Sequence, residues 1–193
     1  RRSSDLLNDK LVQRYSELNQ PTTHEAIIKH LFKQMVAGLS YLHSKEVAHL
    51  DLKLENLVAT SSLVVTWIDF NSARSMHSTS LLHEMVGTLE YACPESFTEQ
   101  LDGYCGYGAD LWALGVCLFA LVRGELPFEV GGEGLGRWEY EEKIMEAVGK
   151  GWVDEMGEGI NIEVKEVLEG LLQKDPSSRW TLDKLQKCTY LSN

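Results

Sequence analysis

His49-Leu50-Asp51-Leu52-Lys53-Leu54-Glu55-Asn56 sets an acid, an amine and an amide at fixed offsets. Asp51 can accept a hydroxyl proton, and Lys53, two residues on, can neutralise charge on an anionic group in motion. Asn56, five residues past the acid, offers an amide oxygen to a metal ion. Together they suit phosphoryl transfer from a magnesium nucleotide, where positioning and charge neutralisation supply most of the rate. Ile68-Asp69-Phe70-Asn71 follows, its acid 13 residues after Asn56, and then Cys93-Pro94-Glu95. One such string arises easily by chance; three in this order do not.

Upstream, Leu6, Leu7 and Leu11 sit at helical offsets within Asp5–Ser16, and Pro21 ends that short helix. Thr22 with Glu25 three residues later is a capping-box pattern. It opens a long amphipathic helix in which Ile27, Ile28, Leu31, Met35, Leu39 and Leu42 recur at three and four. Downstream, Leu57–Ala59 and Leu63–Trp67 flank Thr60-Ser61-Ser62 and predict a small hairpin. Such a hairpin brings Asp69 back towards the octapeptide. The polar, serine-rich Ser72–Met85 predicts a mobile loop. The apolar run Leu111–Val122, 12 residues, reads as a buried helix, since a bilayer span needs about 20. Pro127 and glycines 131, 132, 134 and 136 predict a flexible loop before a helix near Trp138–Val148. Further helices are predicted over Asn161–Gln173 and Thr181–Lys187. The expected fold class is mostly α with a small antiparallel β hairpin, one domain over residues 1–193.

A chain of 193 residues suits a single core that buries roughly 70% of its unfolded surface. The apolar share of 44% with 24% charged residues is globular. A net charge of −11 argues against nucleic acid or an anionic membrane as partner. Residues 125–170 hold 13 acids and 4 bases. That stretch reads as a solvated acidic face or as a docking surface for a basic partner. No signal peptide is visible. Cys93, Cys105, Cys117 and Cys188 form no CxxC pair and no metal-ligand spacing, and Cys117 falls inside the apolar run. A reduced, intracellular setting fits, cytoplasmic with the nucleus left open.

Nearly the whole chain resembles the C-terminal lobe of a eukaryotic protein kinase, of the serine/threonine type and nearest to the calcium/calmodulin-kinase-like group. His49–Asn56 resembles the catalytic loop, Asp69-Phe70-Asn71 the magnesium-binding D-F-G, and Cys93-Pro94-Glu95 the A-P-E element. Gly87-Thr88-Leu89-Glu90-Tyr91 resembles the loop that cradles the substrate chain, Gly108–Gly115 the buried central helix, and Asp175–Arg179 the D-P-x-x-R turn. The resemblance implies Asp51 and Lys53 as catalytic residues, with Asn56 and Asp69 holding magnesium. It implies ATP and Mg²⁺ as cofactors and protein substrates as partners. Asp5, Glu55 and Leu57 would lie on the nucleotide side. Glu55 and Thr88 would meet substrate, Glu55 together with Asp5 facing an arginine upstream of the acceptor. Asp5 reads equally well as a helix N-cap. His49 and Phe70 would belong to a hydrophobic spine aligning two lobes. Glu95 and Arg179 would form a buried ion pair, and Asp110 would anchor the catalytic loop.

Three departures qualify that picture. Leu50 stands where the family has the arginine that receives an activation-loop phosphate, so phosphorylation of Ser75, Ser78 or Thr79 should matter less here. Asn71 replaces the glycine of D-F-G, a position where left-handed backbone is anticipated, and Cys93 and Leu54 are milder changes. No glycine-rich phosphate loop, V-A-I-K strand or partner-glutamate helix precedes Asp5, and the chain opens on Arg1. It therefore reads as a piece of a longer protein, with an N-terminal lobe as its missing partner. Two readings stay open: the catalytic half of a serine/threonine kinase, or a kinase-like pseudokinase or scaffold.

Overall fold

The computed structural model describes residues 24–60, 63–77, 80–97, 103–128, 137–152 and 160–192. Asp5 with its short helix, Thr22, Ser78, Thr79 and the glycines at 131–136 lie outside them. Helix α1, His24–Ser44, turns Ile27, Ile28, Leu31, Phe32, Met35, Val36 and Leu39 inward, the stripe its periodicity predicts. Four short strands follow: β1 Val47–Ala48, β2 Leu57–Ala59, β3 Val65–Trp67 and β4 Arg74–Ser75. The predicted hairpin forms, with β2 antiparallel to β3 and Leu57 opposite Trp67. Trp67 donates its indole N–H to the Met35 carbonyl at 3.1 Å, which fastens the hairpin to α1.

Helix α2, Gly106–Arg123, carries the apolar run through the middle of the molecule. Trp112, Leu114, Val116, Cys117, Leu118, Phe119 and Leu121 are essentially inaccessible there. By length and composition α2 could cross a bilayer, but 72% of it is buried in this fold, as a core helix would be. Gly115 is where α2 meets the next layer: a Cβ would lie 2.9 Å from Leu171 and Leu172. Around α2 pack α3 Arg137–Lys150, α4 Ile162–Leu171, α5 Leu182–Gln186 and α6 Thr189–Ser192. Asn161 caps α4 by accepting the Glu163 amide at 2.7 Å, and its own amide donates to Glu25 on α1. The result is mostly helical with two two-stranded sheets among the described residues, the expected β2–β3 hairpin and one more, β1–β4, that was not expected.

That unexpected sheet corrects the expectation of a mobile loop over Ser72–Met85. Val47 pairs with Ser75 and Ala48 with Arg74. The Met76 amide donates to the Glu46 carbonyl at 2.7 Å, and Tyr107 donates its hydroxyl to the Met76 carbonyl at 2.8 Å. Further along, Leu82 bridges Tyr104. Met76 is 2% exposed and forms a second small core with Ala48 and Leu50. An apolar side chain anchors this segment, where polar composition alone predicted freedom.

Candidate active site

The octapeptide leaves β1 through a backbone that needs help. Leu50 adopts φ 64°, left-handed, which costs a non-glycine residue roughly 1–2 kcal/mol. Asp110, in the first turns of α2 and 1% exposed, supplies that help. Its Oδ1 accepts the Leu50 amide at 2.8 Å and its Oδ2 the His49 amide at 2.9 Å. His43 Nε2 lies 2.9 Å from Oδ2, and the His43 ring packs on Tyr107 at 4.5 Å. His43 carries no signal in the sequence, because its partner lies 67 residues away. The Leu50 carbonyl in turn faces Gly87, where φ is 93° and a Cβ would sit 2.2 Å from that oxygen. Only glycine lets the 87–91 segment come so close.

Asp51, Lys53, Asn56 and Thr88 converge. Thr88 donates its hydroxyl to Asp51 Oδ1 at 2.7 Å and accepts from Lys53 Nζ at 2.7 Å. Lys53 Nζ also lies 3.1 Å from Asp51 Oδ2. Asn56 Nδ2 donates to that oxygen at 3.0 Å and to the Asp51 carbonyl at 2.9 Å. Burial alone would raise the Asp51 carboxyl. The Thr88 and Lys53 hydrogen bonds, the Lys53 charge and Asn56 outweigh it and hold the group below its ordinary value. Asp51 is therefore a fixed, ionised acceptor beside a fixed cation.

Asp69 is exposed and makes no direct bond to that cluster among the described residues. Its placement is nonetheless tied to it. The Ile68 amide donates to the Asn56 carbonyl at 2.9 Å, and His49 Nε2 lies 3.1 Å from the Ile68 carbonyl. His49 packs on Phe70 with ring centroids 4.8 Å apart. The left-handed residue of this turn is Asp69 itself, at φ 62°. The expectation for Asn71 is thereby corrected: its amide donates to Asp69 Oδ1 at 3.3 Å, an Asx turn that needs no glycine. Among the described residues both Asn56 side-chain bonds use Nδ2, which keeps Oδ1 out of the network. A hard amide oxygen and an exposed carboxylate on two tethered segments fit a magnesium ion.

Other expected residues fall less simply. Leu57, expected on the nucleotide side, is 4% exposed and packed into the core, whereas Val58, 47% exposed, is the outward residue of that strand. Glu55 is exposed and accepts the Tyr91 hydroxyl at 3.3 Å, which leans it towards the 87–91 segment. Glu95 and Arg179 form a buried bidentate pair at 2.6 and 2.8 Å. Arg179 also donates to the Gly108 and Gln173 carbonyls and lies over the Trp112 ring at 5.1 Å. Between α1 and the hairpin an open apolar groove of about 530 Å³ is lined by Met35, Gly38, Tyr41, Leu42, Trp67 and Phe70.

A model of the protein kinase domain matches residues 4–191. The PAS domain-containing serine/threonine-protein kinase of Mus musculus is 32% identical over 167 residues, 86% of this chain and 11% of that protein. CBL-interacting protein kinase 26 of Oryza sativa subsp. japonica is 31% identical over 179 residues, 91% of this chain and 34% of that protein. A probable serine/threonine-protein kinase, the KIN1 homolog of Encephalitozoon cuniculi, is 34% identical over 155 residues, 80% of this chain and 25% of that protein. The chain thus spans about a third or less of the length of each of these relatives.

Proposed function

This chain belongs to the protein kinase family, and we propose that it is the C-terminal lobe of an active serine/threonine kinase that moves the γ-phosphoryl of ATP to protein hydroxyls. The observation that carries this reading is the Asp51–Lys53–Thr88 network, with Thr88 Oγ1 2.7 Å from both partners. A binding scaffold has no physical need for that arrangement. Asp51, held ionised, orients the acceptor hydroxyl and takes its proton late. Lys53 neutralises charge on the phosphoryl oxygens. Asn56 and Asp69 would hold Mg²⁺, which would offset the negative charge of the nucleotide phosphates. Glu55, and Asp5 if it lies nearby in the whole protein, would meet an arginine upstream of the acceptor. The apolar groove at Tyr41 and Phe70, open among the described residues, supports an N-terminal lobe seated there. Four free cysteines support a reducing compartment such as the cytoplasm.

The test uses the full-length protein and the 193-residue chain side by side. Radiolabel transfer to a serine peptide should occur with the former and be negligible with the latter. Asp51→Asn should abolish transfer while magnesium ATP still raises the melting temperature; Asp69→Asn should lose that thermal shift as well. Absence of transfer from the full-length wild type would leave the scaffold reading in its place.

A further inference from the structure

Away from the catalytic cluster, the face between the 85–97 segment and α3 has an unusual composition for water-exposed surface. Trp138 is 80% exposed and Met145 43%, two turns apart on one face of α3. They line a groove of about 290 Å³ whose opposite wall carries Met85 and Phe97. Its two charged lining residues, Glu141 and Glu142, are both carboxylates. The wider stretch 125–170 has the same sign, with 13 acids to 4 bases. A tryptophan held four-fifths in water beside two methionines gains nothing for folding, whereas such residues dominate binding energy at interfaces.

The groove is also mechanically joined to the reaction site. Tyr140 donates its hydroxyl to Glu90 Oε1 at 2.7 Å. Glu90 lies in the turn Leu89–Tyr91 that directly follows Thr88. Burial and the Glu90 carboxylate push the Tyr140 phenol up to about 12, so it remains a donor throughout the physiological range. A chain bound along α3 therefore lies next to the segment that carries Thr88.

We propose that this groove is a docking site for a segment of the protein substrate bearing one large apolar side chain flanked by lysine or arginine. The apolar side chain enters between Trp138, Met145 and Met85, and the basic residues face Glu141 and Glu142. Docking there raises the local concentration of the acceptor hydroxyl at Asp51 without touching the catalytic groups. The proposal rests on the kinase reading above for its purpose, but not for its measurement.

The probe is a fluorescein-labelled 12-residue peptide, free of serine, threonine and tyrosine, with a central leucine among arginines and lysines. Anisotropy is read on the 193-residue chain and on full-length protein. Binding should weaken about tenfold or more with Trp138→Ala, or when glycine replaces the leucine. Glu142→Lys should weaken it chiefly at low salt, because exposed charges are screened beyond about 8 Å at physiological ionic strength. Trp138 and Glu142 are both exposed, so neither change endangers the fold. Equal affinity for Trp138→Ala and wild type overturns the proposal. So does a dimer in sedimentation that Trp138→Ala dissociates, since the occupant is then a second copy. Binding by a full-length protein that transfers no phosphate sinks the kinase reading and spares the groove. Transfer with no Trp138-dependent binding does the reverse.

Discussion

The Asp110 carboxylate accepts the Leu50 amide at 2.8 Å, so a buried acid on the central helix holds the His49–Asp51 turn in a left-handed bend. The same carboxylate takes the His49 amide and faces His43 Nε2. Asn in its place keeps the shape but turns an N–H₂ towards a donor. We expect Asp110→Asn to cost about 3 kcal/mol, one stranded buried donor plus lost charge assistance, read from urea unfolding of the 193-residue chain. A loss under about 0.5 kcal/mol would mean that the bend holds itself.

Glu95 and Arg179 should behave as one unit. Removing either partner leaves the other charged and dry, at a cost of roughly 3–5 kcal/mol. Glu95→Gln and Arg179→Met together should cost well under the sum of the single changes. A double-mutant cycle on thermal or denaturant unfolding gives the coupling; additive losses would show that the two act independently.

The acidity of Asp51 has a testable direction. Its folded carboxyl lies below its ordinary value, so the stability it lends is present above about pH 4 and fades only as pH falls through the lower folded value. Thr88→Ala removes one of the bonds that hold it down. The carboxyl carbon of Asp51, followed by NMR, should titrate lower in the wild type than in Thr88→Ala. An unchanged midpoint would remove Thr88 from the network that ionises Asp51.

Met76 should control the order of the segment after the D-F-N turn. It packs with Leu50 and Ala48, and its amide donates to Glu46. Met76→Ala should speed hydrogen exchange at residues 74–76 by tenfold or more, with a global loss of about 2–3 kcal/mol. On the kinase reading proposed above, a phosphomimetic Ser75→Glu in the full-length protein should change transfer by less than about twofold, since no guanidinium stands at position 50. A large activation would point to another phosphate receiver.

What the sequence disclosed was what repeats locally or sits at fixed spacing. The apolar stripe of α1 and the β2–β3 hairpin are such features, and so is the octapeptide with its acid, amine and amide. What it hid depends on partners far along the chain or on single-residue facing. Val47–Ala48 and Arg74–Ser75 are too short to show a strand period, yet they pair. Leu57 and Val58 differ by one position and therefore by one face, so a likeness that counts positions cannot say which looks outward. The handedness of Asp69 rather than Asn71 is equally invisible to a motif, because both residues tolerate φ > 0. Tyr140 and Glu90, 50 residues apart, have no local signature at all.

The small core of Ala48, Leu50 and Met76 changes what can disturb the loop it secures. A guanidinium clasped to a phosphate loosens in salt and vanishes under a phosphatase. A methionine against a leucine ignores both, but its grip slackens in the cold, as apolar contacts do. Order in this segment is thus set by temperature and by the chain's own composition, and it arrives with folding.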